Sequence, residues 1–155
     1  MPNRYLAIYL DDQLALGVVW REIARRAARE NAGTEYGRPL AEVAEAIAED
    51  VETFEGIMRR VGVRPKRWKR AGAVLAERSG RLKLNGHVLS YSPLSRFAEL
   101  EFLTMGIDGK KQLWQTLRDL AAIDGVDFDA LIARADAQRK LLEPLRASAG
   151  AILRA

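Results

Sequence analysis

The sequence predicts an all-α chain, a four-helix bundle. Three observations predict it. Apolar residues recur at alternating spacings of three and four along three long stretches, the period of a helix with one buried face. Short turn segments, 33–39 and 123–127, separate the stretches within two pairs. One long connection, 63–91, joins the pairs, which makes the second and third helices parallel. The balance of 48% hydrophobic and 30% charged residues over 155 residues suffices for one core and excludes a disordered chain.

The first helix is expected over about 3–32, with Asn3 as N-cap and Gly33 in the left-handed position after its end. Apolar residues crowd more than one of its faces, so it has neighbours on several sides. The second, about 39–61, has the cleanest seam: Leu40, Val43, Ile47, Val51, Phe54, Met58 and Val61. Glu42, Glu45, Glu49, Asp50, Glu52 and Glu55 are expected on its outside, and Gly62 ends it.

The third, about 93–122, opens with Ser92 as N-cap and Pro93 at the first helical position. Its stripe is Phe97, Leu100, Leu103, Ile107, Trp114, Leu117 and Ala121, interrupted by Lys110. Gly106 and Gly109 weaken it by about 1 kcal/mol each relative to Ala and mark a kink or a close helix contact. The fourth, about 127–153, starts at Asp127. Its stripe of Phe128, Leu131, Ala135, Gln138, Leu142, Leu145, Ala149 and Ile152 includes one polar residue, Gln138, which needs a buried partner. Pro144 falls inside it, where a proline removes one backbone hydrogen bond. The whole forms a single four-helix domain over 1–155. Residues 81–89 alternate and contain Asn-Gly, but two strands alone are marginal, so 63–91 is read as an irregular crossover with a short helix.

Several chemistries are excluded by composition. No cysteine is present, which removes disulfides, thiolate metal sites and cysteine nucleophiles. His87 is the one histidine, so no site can draw two from one chain. No phosphate-binding glycine loop occurs, and Ser90, Ser92 and Ser95 lack a nucleophile-elbow context. No catalytic residue, resident metal or cofactor is assigned. No stretch approaches the ~20 apolar residues that span a bilayer, and the run 6–10 is cut short by Asp11 and Asp12. The expectation is a cytoplasmic protein without a membrane partner.

Charge supplies the clearest anomaly. The chain carries a net +4, yet 59–83 alone holds ten bases against one acid, Glu77. The candidate anion- or nucleic-acid-binding set is Arg59, Arg60, Arg64, Lys66, Arg67, Trp68, Lys69, Arg70, Arg78, Arg81 and Lys83, in which bases neutralise phosphates while the indole stacks. The competing reading is a solvated crossover anchored by Trp68. A carboxylate metal site would draw on Asp11 or Asp12, Glu49 or Glu52, and Glu99 or Glu101.

The segments Arg81-Leu82-Lys83-Leu84-Asn85-Gly86, Tyr91-Ser92-Pro93-Leu94-Ser95-Arg96, Glu99-Leu100-Glu101 and Gly106-Ile107-Asp108-Gly109-Lys110, with the 5–13 opening, resemble helical-bundle proteins of high-GC actinobacteria. That resemblance implies no activity. In topology the chain also resembles the ferritin-like superfamily, but it lacks that family's Glu-x-x-His iron ligands. The expected function is non-enzymatic, protein interaction or self-association as a homodimer through an apolar face of the first helix. The alternatives are binding of nucleic acid or an acidic protein through 59–83, and carboxylate metal binding.

Overall fold

A computed structural model describes residues 3–66 and 90–154. Its helices are α1 (Arg4–Glu30), α2 (Gly37–Arg60), α3 (Pro93–Asp119) and α4 (Phe128–Ala149), followed by a 3₁₀ turn, Gly150–Leu153. The described residues contain no strand. The all-α four-helix expectation is met.

Three of the expected caps form. Asn3 accepts from the Tyr5 backbone N–H, and Asp127 accepts from that of Ala130. Ser92 and Ser95 close a reciprocal capping box, with Pro93 as the first helical residue. Gly62 follows α2 with φ 78°, a left-handed stop. Gly33 does not take that role after α1. There Asn31 closes the helix, its side-chain amide donating to the Ala27 carbonyl at 2.8 Å. α3 stops at Asp119, short of 122, and Ala122 adopts the left-handed conformation at φ 47°. α4 runs through Pro144 and tightens into 3₁₀ geometry after Ala149.

α1 packs most closely on α2, and α3 on α4; smaller contacts join α1 to α3 and α2 to α4. Along α2 and α3, Tyr36 lies under Arg96, Asp50 meets Lys110 and Phe54 meets Trp114. These two helices therefore run in the same direction, as the long connection requires.

Ile152, expected on the α4 stripe, falls in the 3₁₀ turn and is 45% exposed. Most residues of the seams named from the sequence are buried, and they form two clusters. One gathers Val19, Ile23, Leu40, Val43, Leu100, Leu103 and Leu142. The other gathers Leu10, Leu14, Phe54, Met58, Trp114, Leu117 and Phe128. No described helix is long and apolar enough to cross a membrane.

Candidate functional site

The level between the two clusters is polar. Asp50 was expected outside α2 but is only 3% exposed. Its position three residues after Ile47 and four before Phe54 sets it on the flank of the apolar seam, turned inward. Lys110 donates to Asp50 Oδ2 at 2.5 Å and also to Gln138 Oε1. Gln138 Nε2 donates to the same Asp50 oxygen at 2.8 Å. Arg134 forms an ion pair with Asp50 Oδ1 at 2.9 Å and donates to Glu49 Oε2 at 2.5 Å. The two polar interruptions of the α3 and α4 stripes thus converge on one carboxylate. Burial pulls the Lys110 ammonium below its ordinary pKa, and the neighbouring Asp50 charge opposes that shift.

Beside this layer lies a cavity of about 270 Å³, bounded by α1, α2 and α3. Its walls include Leu14, Gly17, Trp20, Ile47, Val51, Phe54, Ile107, Leu113 and Trp114, with Asp50 and Lys110 among them. Leu16 and Met105 also line it and are exposed, 38% and 61%, so the cavity is a groove with an open rim.

Glycines shape the groove. At Gly106 an added Cβ would lie 1.2 Å from Trp20 Nε1. The Trp20 indole occupies that space and donates to the Phe102 carbonyl at 2.7 Å. The close-contact expectation for Gly106 is therefore met. Gly17 and Gly109 are different: a Cβ at 17 would make ordinary contact with Val51 at 3.5 Å, and one at 109 would meet nothing within 4 Å. Packing does not demand glycine at either position, and both line the groove. Gly109→Ala is expected to raise stability by about 0.5–1 kcal/mol, measured by urea unfolding, because it gains helix propensity without a clash.

A second buried polar cluster lies where α3 begins. Glu99 is 1% exposed. It accepts the Tyr91 hydroxyl at 2.8 Å and faces Arg26 at 3.3 Å. Asn31 donates to the Tyr91 oxygen at 2.8 Å and accepts from Arg96 at 2.5 Å. The Arg96 guanidinium lies 4.6 Å from the Tyr36 ring centre. Burial raises the Glu99 carboxyl above its ordinary pKa of 4.5, while the Tyr91 bond and Arg26 act the other way. Burial and the Glu99 charge hold the Tyr91 phenol far above its usual value.

The folded state holds the Glu99 proton more tightly than the unfolded state, so stability falls as pH rises through the interval just above 4.5. Unfolding midpoints of Glu99→Gln are expected to be flatter than those of the parent across that interval.

The sequence-derived candidates scatter. Glu49 pairs with Arg134, Glu101 with Arg146 at 2.6 Å, and Asp11 with Lys66 at 3.9 Å. Glu42, Glu45 and Glu52 are exposed. Among the described residues no group of three His, Asp or Glu could hold a metal ion, so the proposed carboxylates do not converge. Glu55, also expected outside, is buried, and Arg59 lies 3.8 Å from it. Arg60 donates to the Gly125 carbonyl at 2.7 Å, and Arg64 is exposed. Arg67, Trp68, Lys69, Arg70, Arg78, Arg81, Lys83 and His87 lie outside the described residues.

With the groove and the two polar clusters defined, comparison adds no relative. No protein-family model, curated protein or solved structure matches this chain.

Proposed function

We propose that this chain is a non-enzymatic binding bundle whose ligand enters the groove between α1 and α3. The observation that carries the reading is the groove itself: about 270 Å³, walled mostly by aliphatic and aromatic side chains, with the buried Asp50–Lys110 ion pair and the Gln13 amide as polar features. Mostly apolar concavities with a few placed polar groups are the usual form of a small-molecule site. The two glycines that packing does not require support it further, since each weakens its helix by about 1 kcal/mol relative to Ala while leaving the groove clear.

The test is chemical-shift mapping with acetophenone and ethylbenzene. The expected perturbations cluster on the amides of Gly17, Gly106 and Gly109, and Gly17→Leu, which fills the groove, removes them. Perturbations scattered over the surface, or equal effects in Gly17→Leu, would overturn the reading.

Self-association is a second reading, and a specific observation favours it. Tyr5, Ile8 and Leu16 are exposed along one side of α1. Light scattering at rising concentration should show a dimer that Leu16→Glu dissociates. A monomer throughout would remove this reading and leave the groove untouched.

A further inference from the structure

Given the groove reading above, on which this rests, we infer that the groove is polarised along its length. It takes an uncharged aryl-alkyl molecule, with the ring at the deep end and the tail toward the rim. The wall on α3 extends from Met105 to Trp114, a rise of about 13 Å. α1 runs antiparallel beside it. Trp20 therefore meets Gly106 at one end, and Leu14 joins Phe54 and Trp114 at the other. A cavity of about 150 Å³ holds the six carbons of benzene, so about 270 Å³ holds roughly ten. A ring alone leaves space that a short chain fills.

The two ends differ in depth. Leu14, Phe54, Leu113 and Trp114 close one end, and none is more than 6% exposed. At the other end Met105 is 61% exposed and Trp20 is partly buried. The deep end suits a ring. Phe54 and Trp114 meet edge to face there, with ring centres 5.8 Å apart, and a third ring extends a geometry that attracts beyond the area it buries. The rim suits a chain, because the Met105 side chain is unbranched and adapts to irregular apolar shapes.

Gly109 decides whether the tail has room. A helical side chain leans over the turn that precedes it, so one at 109 would cover the surface beside Met105 and Gly106. A Cβ there meets nothing within 4 Å, so that surface is open. Charge is excluded on separate grounds. Asp50 and Glu49 are matched by Lys110 and Arg134, and an ionised ligand would enter an apolar space without a counter-charge. The Gln13 amide offers a donor and an acceptor alike and makes no choice between polar substituents.

Three probes titrated by nuclear magnetic resonance test the assignment: benzene, propylbenzene and benzoate. In the parent chain benzene is expected to shift the amides of Phe54, Leu113 and Trp114. Propylbenzene should shift those of Met105, Gly106 and Gly109 as well. Propylbenzene is expected to bind at least about tenfold more tightly than benzene, since each fully buried methylene is worth about fourfold. Benzoate is expected to bind at least about tenfold more weakly than benzene. In Gly109→Leu the propylbenzene-to-benzene ratio should fall below about threefold while benzene itself binds as before. Should that variant fail to fold, the shift pattern in the parent chain decides alone. Propylbenzene shifts confined to the deep end, an unchanged ratio or an equal loss of both hydrocarbons in Gly109→Leu, or benzoate binding as tightly as benzene would each overturn the inference while leaving the groove reading intact. Binding of none of the three overturns the groove reading itself, and this inference with it.

Discussion

Asp50→Ala is expected to destabilise the bundle by about 3–5 kcal/mol, because it leaves the Lys110 ammonium buried without its counter-charge. Lys110 is the partner that matters most. Its side chain is 15% exposed, whereas that of Arg134 is 37% exposed and keeps Glu49. Neutralising both groups with apolar side chains should behave differently. Asp50→Leu combined with Lys110→Met is expected to recover most of the loss, since a buried pair replaced by apolar groups of similar volume is often neutral or stabilising. Urea midpoints for the two single variants and the double variant measure the coupling directly. Additive losses would mean that the layer is not an ion pair in the energetic sense. The pH dependence has a defined sign. Folded Lys110 binds its proton less tightly than unfolded Lys110, so in the parent chain stability climbs as pH rises through the interval below 10.5. Asp50→Ala should steepen that climb, and Asp50→Leu with Lys110→Met should remove it.

Gly106→Ala is the second large effect, expected to cost about 2–4 kcal/mol. The new Cβ would lie 1.2 Å from Trp20 Nε1 and 1.5 Å from Cδ1, so the indole must leave. It then loses its bond to the Phe102 carbonyl and its packing on the first core cluster. The same methyl on a chain without the indole meets no such obstacle. Trp20→Leu alone should be destabilising, and Gly106→Ala added to it should cost little more or even help through helix propensity. A full additional loss in the double variant would place the origin of the effect elsewhere than at Trp20.

Much of the fold was legible because it depends on local rules. Asn3, Ser92-Pro93 and Asp127 are capping signals read within a few residues, and each forms the bond it announces. The α2 seam was legible for the same reason: a spacing of three and four selects one face. The end of α1 was not, because Asn31 closes it through side-chain bonds to Ala27, Tyr91 and Arg96, the second just before α3 and the third in its first turn. Asp50 was misplaced by residue type: among five other acids on α2 it looks like solvated surface, and only its tertiary partners reveal the difference. The signal that could have found it was present in Lys110 and Gln138. Two polar residues that interrupt facing apolar stripes require a shared partner, and the parallel run of α2 and α3 brings Asp50 to that level. Glu99 was noticed for metal chemistry, but its burial against Tyr91 could not be inferred from spacing, because Tyr91 reaches it from outside the helix. The groove was not legible at all. Gly109 was flagged as a weak point in α3, yet a cavity is a relation among three helices and has no one-dimensional pattern.

The division of the apolar core into two clusters has a consequence for how the bundle opens. One cluster is centred on Val19, Leu40 and Leu103, the other on Leu14, Phe54 and Trp114, with the Asp50 layer between them. Cooperative unfolding propagates through contiguous apolar contact, and here that continuity is interrupted at mid-height. The two ends are expected to form separate units of protection. Amides of α2 before Asp50 should exchange with solvent on one timescale together with those of α3 before Lys110, and the amides beyond both residues on another. Each helix therefore crosses a boundary between two breathing modes, and the groove opens beside that boundary. A molecule held there would bind across both units, and its first detectable effect would be to merge two exchange regimes into one.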